Sequence, residues 1–535
     1  MKLFYVCCLF VFMAGDALAL KSNVPESKAT SLPVGQTVEL KNQPFLQPSD
    51  LIVLYHELIQ FIEDYDAEGI ATRELTKSVD WQTYKQSKKT AFINSTNWQQ
   101  LKAAFYGLTA GFVNLHSRFQ FNKNIADELK LNDVKLGFTY PEVKFFNQDN
   151  GDLITAFNEL PSEEVFNEFE QYNCSFNSQI GCLRSFVSKF NRGQLSVDQQ
   201  PLTTFRQANQ LVDVKYQQPS SGLKSDRYAA IKVDQYAGWE LLAKGQQVAI
   251  FKQPGLLLLK IKSFKYKQGA GSDFRCSEPV EEQSMCADIQ LIRSTFNQSD
   301  VSDLSLIIDV QNNGGGQENT AFMAELSQAP FKDLMVSYKN TLVLQDESLR
   351  AGLFYGSSRA ENWFDQLTQT ELDASNEWLP PRADFCRSDS TCKIKWIEPN
   401  SKRKFKGVYL LTNESCVSSC DDLVWRLNEY SEAQVYGLPQ AADATYSRIS
   451  TTFYLDNDNN IKHKIHPDGS LPDINGKVIF ALTIPYSRTV TSSGQLRQGQ
   501  PAPTTFLLPI STNNYETHNI DSLNYLATLI RAGKL

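Results

Sequence analysis

Histidine is scarce in this chain of 535 residues, with five in all, and no Cys-x-x-Cys occurs. That leaves little to build a metal centre from, because zinc and its neighbours are held by clustered Cys and His side chains. His463 and His466 stand close together, but between Asn459-Asn460 and Pro467-Asp468-Gly469, a pattern that reads as an exposed turn. No metal or organic cofactor is expected. A dense basic run is also missing. Lys402-Arg403-Lys404 comes nearest and reads as a solvated loop. With a formal net charge of -8, this argues against nucleic acid as a partner. Beyond the first residues no apolar segment is long enough to cross a bilayer, so no stable membrane insertion is expected after processing. No internal repeat is found. The length exceeds what one core organises, and roughly two to four domains are expected.

The N-terminus reads as an address. Lys2 precedes an apolar stretch, Leu3 to Ala14, and small residues at Ala17 and Ala19 fit cleavage after Ala19. Residues 1–19 are therefore expected to be a signal peptide, with the mature chain exported to a periplasm or secreted. Cys7 and Cys8 lie inside that signal. The remaining eight cysteines fall into four close pairs: Cys174/Cys182, Cys276/Cys286, Cys386/Cys392 and Cys416/Cys420. An even count in an exported chain reads as disulfides, and local pairing is the simplest connectivity. Each would stabilise by about 2–3 kcal/mol if unstrained.

Residues 20–120 read as a polar arm followed by a helical domain. Leu51, Leu54, Leu58, Phe61 and Ile62 repeat at helical steps, as do Trp98, Leu101, Phe105 and Leu108. Residues 121–226 read as a small β-rich module, with strands expected within Lys135–Phe146 and over Asp152–Phe157, and a helix over Ser162–Tyr172. From 227 to 535 strands and helices alternate. Strands are expected at Tyr228–Val233, Gly255–Ile261, Leu304–Val310, Val408–Leu411, Gln434–Tyr436 and Val478–Ile484. Helices are expected at Asp288–Phe296, Thr320–Leu326, Asp421–Tyr430 and Ile520–Arg531. That rhythm implies an α/β core with a partly parallel sheet. Residues 340–405 interrupt it and read as an insertion, a candidate lid.

Two segments carry chemistry. In the first, the apolar run Leu304 to Ile308 breaks at Asp309 and leads through Asn312-Asn313 to Gly314-Gly315-Gly316. Glycines after a strand let the backbone turn sharply with bare N–H groups exposed, a device that holds a phosphate or an oxyanion. In the second, Val408 to Leu411 runs into Asn413-Glu414-Ser415-Cys416-Val417-Ser418-Ser419-Cys420, then into a helix with Asp421 and Asp422 in its first turn. A serine at such a strand-to-helix turn presents its hydroxyl at the carboxyl end of the sheet, the logic of a nucleophile elbow, although Gly-x-Ser-x-Gly is absent. Taken alone, Ser415, Ser418 or Ser419 reads as a helix cap. The pairing with the glycine turn is what points to chemistry. Cys416 and Cys420 bracket Ser418, as a staple fixing the elbow or as reactive thiols controlling it.

On these residues the chain resembles the tail-specific, or carboxy-terminal-processing, serine peptidases. Their Asp-Leu-Arg-Asn-Asn-x-Gly-Gly turn is matched by Asp309 to Gly316. Their Asn-x-x-Ser/Thr-Ala-Ser-Ala-x-Glu segment is matched by Asn413 to Asp421. The resemblance spans about residues 227–535. It implies a ClpP/crotonase-like protease core, a nucleophile at Ser418, a helix acid at Asp421, and an oxyanion hole from the N–H groups of Ser419 and of Gly314 or Gly315. It also implies that the module is PDZ-like, since Ile154 to Pro161 resembles a strand–Asn-Gly–Pro turn with Glu159 in the glycine's place.

Two departures separate the chain from most members. The stretch Tyr436 to Thr445, where many carry an activating lysine, has none. The histidine-using branch, typified by the tricorn core and the secreted chlamydial protease, places a histidine upstream, and Leu115-His116-Ser117 fits that place. The chain is therefore closer to that branch, with His116 as general base. The branch's C-terminal glutamate is missing from Gly494 to Pro503. There Gln498 is a candidate orienter of the ring, and Asp443, Asp468 and Asp473 are candidate carboxylates by another route. The implied activity is that of an exported serine endopeptidase hydrolysing protein or peptide substrates through an acyl-enzyme. An inactive ligand- or peptide-binding protein on the same fold, as in interphotoreceptor retinoid-binding modules, is the alternative. A carbohydrate hydrolase would need paired carboxylates across a cleft, and no pattern singles out such a pair. The oligomeric state is not legible.

Overall fold

The computed structural model describes residues 40 and 43–535, apart from 124, 126–130, 198–199, 218–227, 271–273, 278–281, 299–300, 318, 333, 346–367, 374–375, 384–395, 401–402, 444–446, 467–473, 492–495 and 498. The signal peptide, Cys386, Cys392, Asp468, Asp473, Gln498 and most of the expected insertion thus lie outside the described residues.

Strands Leu256–Ile261, Ser305–Asp309 and Gly407–Thr412 are apolar on both faces and almost wholly buried, which is the signature of central parallel strands covered on both sides. They form the middle of a seven-stranded sheet in the order 240–244, 248–253, 256–261, 305–309, 407–412, 434–437, 504–505. The first three are antiparallel neighbours, and from Leu256 onward every pairing is parallel. Helices Met285–Gln298, Thr320–Leu326 and Ser419–Ser431 cover one face, while helix His518–Arg531 with Tyr236 and Trp239 covers the other. The expected α/β core is present. Parallel strands place their following loops at one edge, so the turns after Asp309, Thr412 and Gly437 meet there.

The structure corrects two expectations. Tyr228–Val233 is irregular: the sheet edge it would join is already occupied by the hairpin Glu240–Gln253, and Ile231 instead packs on the sheet face. That hairpin carries no alternation strong enough to announce itself in sequence. His463 and His466 belong to a strand, Ile461–His466, since the turn is already closed by Asp456 accepting from Asp458 and Asn460.

The N-terminal helices Pro48–Tyr65, Gly69–Thr76, Trp81–Ile93 and Trp98–Thr109 do not close a core of their own. Their buried face, with Leu54, Leu58, Ile62, Leu101 and Phe105, packs against Ile449, Phe453, Phe480 and Ile484 from strands Arg448–Leu455 and Lys477–Pro485. Phe105 stacks on Phe480 with ring centroids 4.4 Å apart. Strand Arg118–Phe121 then joins Lys477–Pro485 in antiparallel register, Arg118 opposite Thr483. This junction fixes the loop 110–117 between helix and strand.

The β-rich module has strands in the order 210–213, 204–207, 153–157, 145–147, 136–138, backed by helices Ser162–Tyr172 and Gln179–Asn191. Its core is phenylalanine-rich, with Phe145, Phe157 and Phe186 in mutual contact. Asn158 and Glu159 both take positive φ, 45° and 67°, in the hairpin expected to hold Asn-Gly. Asn158 stabilises it by accepting from the Thr203 and Thr204 N–H groups. Disulfides join Cys174 to Cys182, Cys276 to Cys286 and Cys416 to Cys420.

Gly437 ends a central strand with φ +106°, and a Cβ there would stand 2.4 Å from the Thr412 carbonyl oxygen. Gly437→Ala is expected to destabilise by about 2 kcal/mol or more, through strain and a backbone clash. A thermal melt showing no loss would contradict that packing.

Candidate active site

The glycine turn and the serine turn follow neighbouring parallel strands and lock together through side-chain amides. Asn413 Oδ1 accepts from the Asn312 N–H at 2.9 Å, and Asn413 Nδ2 donates to Asn312 Oδ1 at 2.8 Å. Buried Asn313 donates to the Ile261 carbonyl at 3.2 Å and accepts the Gly315 N–H at 3.0 Å. The Gly315 N–H is thereby engaged. Among the described residues the N–H groups of Gly314 and Ser419 have no partner. Gly315, at φ +70°, abuts the serine turn so closely that a Cβ would lie 2.7 Å from Ser418 Cβ and 3.2 Å from the Ser419 nitrogen. Only glycine fits.

Ser418 itself has φ 64° and ψ −129°, a strained conformation for a residue with a side chain. Its N–H donates to the Asp443 carbonyl at 2.7 Å, and its carbonyl accepts from the Asp422 N–H at 3.0 Å. The Cys416–Cys420 disulfide, with Cα atoms 5.2 Å apart, spans it. Ser419 opens the helix and its Oγ donates to the Gly316 carbonyl at 3.2 Å, a second tie to the glycine turn. The elbow thus sits at the positive end of the Ser419–Ser431 dipole.

His116 arrives from the loop between helix Trp98–Thr109 and strand Arg118–Phe121. Asn114 shapes that loop, its Oδ1 accepting from the N–H groups of His116 at 2.8 Å and Ser117 at 3.0 Å. His116 Nδ1 lies 2.5 Å from Asp443 Oδ1, with the imidazole 16% and the carboxylate 2% exposed. Asn114 Nδ2 donates to the same Oδ1 at 3.3 Å, and the Leu115 N–H donates to Oδ2. His116 and Ser418 therefore converge on Asp443, one through the carboxylate and the other through the main-chain carbonyl. Ser418 Oγ makes no hydrogen bond to His116.

Gln498 lies outside the described residues, and the ring nitrogen it was expected to orient is occupied by Asp443. The sequence offered Asp443 only as one of three candidates. Its signal was topological: strand Gln434–Gly437 neighbours Gly407–Thr412, so the loop after it must pass the elbow. The stretch Tyr436 to Thr445, which contains no lysine, supplies this carboxylate. Ser415, a candidate cap in sequence terms, lies upstream, with its N–H bonded to Asn413 Oδ1. Asn114, Asn313 and Asn413 went unrecognised as organisers of the site.

Beneath the elbow, Asp422 is held by Arg497 at 2.8 Å and Arg426 at 3.0 Å. Asp421 is fully buried with Oδ1 unpartnered. Desolvation pushes its carboxyl up to about 7, assisted by Asp422 and Asp443 and opposed by Arg497.

No protein-family model matches the chain, and no curated protein matches it. Among solved structures, mature CPAF is similar at 13% identity and a TM-score of 0.56, over 90% of this chain and 97% of that one. Its complex with lactacystin gives 13% and 0.55, over 90% and 98%. A serine-to-alanine mutant of CPAF gives 14% and 0.53, over 90% and 98%. The chain therefore shares the fold of CPAF. A putative peptidase from Parabacteroides merdae matches at 11% identity over 91% of this chain and 97% of that one, with a TM-score of 0.41.

Because the folded state raises the Asp421 carboxyl, the uncharged form suits the fold. Its stabilising contribution is complete below the ordinary carboxylate range and is lost as pH climbs through about 7. Asp421→Asn is expected to raise the melting temperature at pH 8 by roughly 2 °C or more and to change it little at pH 4. An equal shift at both values would contradict this.

Proposed function

We propose that this chain is an exported serine endopeptidase related to the tail-specific peptidases, nearest their histidine-using branch, with Ser418, His116 and Asp443 as its catalytic triad. Ser418 Oγ attacks the scissile carbonyl while His116 Nε2 takes its proton. Asp443 holds the ring through Nδ1–H and stabilises the imidazolium that forms. The N–H groups of Ser419 and Gly314 receive the oxyanion, and Gly315 supplies the space that lets the two turns meet. His116 then returns its proton to the leaving amine, and water hydrolyses the acyl-enzyme by the reverse sequence. The observation that carries this reading is the convergence of a histidine and a strained serine, far apart in the chain, on one buried aspartate.

Several features support the finer assignments. The shared fold with CPAF supports peptide or protein substrates. The disulfides support export, since such bonds persist in oxidising compartments. Among the described residues no helix is long and apolar enough to cross a membrane. The domain reading is a helical unit at 20–120, a PDZ-like module at 121–226 and a protease core at 227–535, with a strand that begins at Arg118 joining a sheet of the core.

The alternative, a binding protein on this fold, draws on the missing Ser418–His116 hydrogen bond. A fluorophosphonate that labels activated serines separates the two: labelling is expected in the wild type and absent in Ser418→Ala. Casein or peptide cleavage should vanish in Ser418→Ala and persist in Ser415→Ala. Asp443→Asn should retain the fold and lower kcat by about 10²–10⁴. Undiminished turnover in Asp443→Asn would remove it from the triad.

A further inference from the structure

After strand Leu256–Ile261 the chain runs alongside the glycine turn. The Phe264 N–H donates to the Gly315 carbonyl at 3.1 Å, and the Gln317 N–H donates to the Phe264 carbonyl at 2.9 Å. Phe264 and Gly316 form a parallel bridge, and the buried Phe264 ring packs on Phe322. Lys265 follows directly, its N–H held by Ser263 Oγ at 3.2 Å. Its Nζ comes to 3.9 Å from the point where a Cβ on Gly314 would stand. The ammonium therefore overhangs the glycine whose N–H is free for the oxyanion.

Lys265 contributes little to holding the fold together. Its ammonium makes no ion pair or hydrogen bond with another described residue. Lys260, on the preceding strand, shows the contrast: its Nζ is bonded to Asp309 at 3.0 Å and to the Gln311 carbonyl at 2.7 Å. A half-buried cation beside an exposed glycine turn, fixed through its backbone and with no counter-charge on it among the described residues, is suited to a ligand. A peptide laid across that turn must pass it.

We propose that Lys265 selects peptides carrying a carboxylate close to the scissile bond. This rests on the peptidase reading of Ser418. An ammonium is a compact point charge on a flexible stem, so it reads charge rather than side-chain shape. Asp and Glu should serve alike. Such a contact acts mainly on specificity and weakens as salt screens it.

The test uses the whole mature chain and end-blocked peptides differing only by Glu or Gln at each position flanking the cleaved bond. A second pair differs by a free or amidated C-terminus, to separate side-chain from terminal carboxylates. Wild type should favour Glu over Gln by about fivefold in kcat/KM at one position or more, fading at high salt. Lys265→Gln should remove the preference, and Lys265→Glu should turn it towards a Lys-bearing peptide. Thermal melts confirm that each variant is folded. An equal preference in wild type and Lys265→Gln, or none in wild type, overturns this role alone. A preference confined to the free C-terminus overturns the side-chain form. Wild type that neither cleaves nor takes the fluorophosphonate overturns the peptidase reading and this role together.

Discussion

The carboxylate of Asp443 is buried, and a buried carboxylate left without donors costs several kcal/mol. Among the described residues its donors all come from one short segment: the Leu115 N–H, Asn114 Nδ2 and His116 Nδ1. The same residue's carbonyl receives the Ser418 N–H. Satisfying one acid therefore pins a loop from the first quarter of the chain to a turn near its far end. The geometry of the site is largely what remains once that requirement is met.

The second constraint is the strained serine. Holding Ser418 at positive φ costs on the order of 1–3 kcal/mol, so its surroundings must over-determine it. They do so from each side: Asp443 above, the first turn of helix Ser419–Ser431 behind, the Cys416–Cys420 bond across, and Gly315 in front. Each tie is modest, and together they offset the strain. The asparagines add a clamp that keeps the glycine turn and the elbow from sliding apart.

Much of this is legible in the sequence. The strand–glycine and strand–serine segments named their own positions because buried parallel strands write continuous apolar runs, and their loops must emerge at one edge. Helices such as Thr320–Leu326 and Ser162–Tyr172 were readable from period alone. The hairpin Glu240–Gln253 was not, because edge strands need partners that sequence does not display. Asp443 was only one candidate among several, since the choice depends on which loop reaches the ring. The shared core of the N-terminal helices was hidden for a related reason. Apolar periodicity shows which face is buried and is silent about what buries it.

That shared core sets an order of events. The helices that present His116 lean on strands Arg448–Leu455 and Lys477–Pro485, so a polypeptide emerging from a ribosome has no finished platform for the imidazole until those strands have been made. On the peptidase reading, a half-built copy cannot cut its neighbours or itself. Vectorial synthesis then delays activity until strand Lys477–Pro485 is in place.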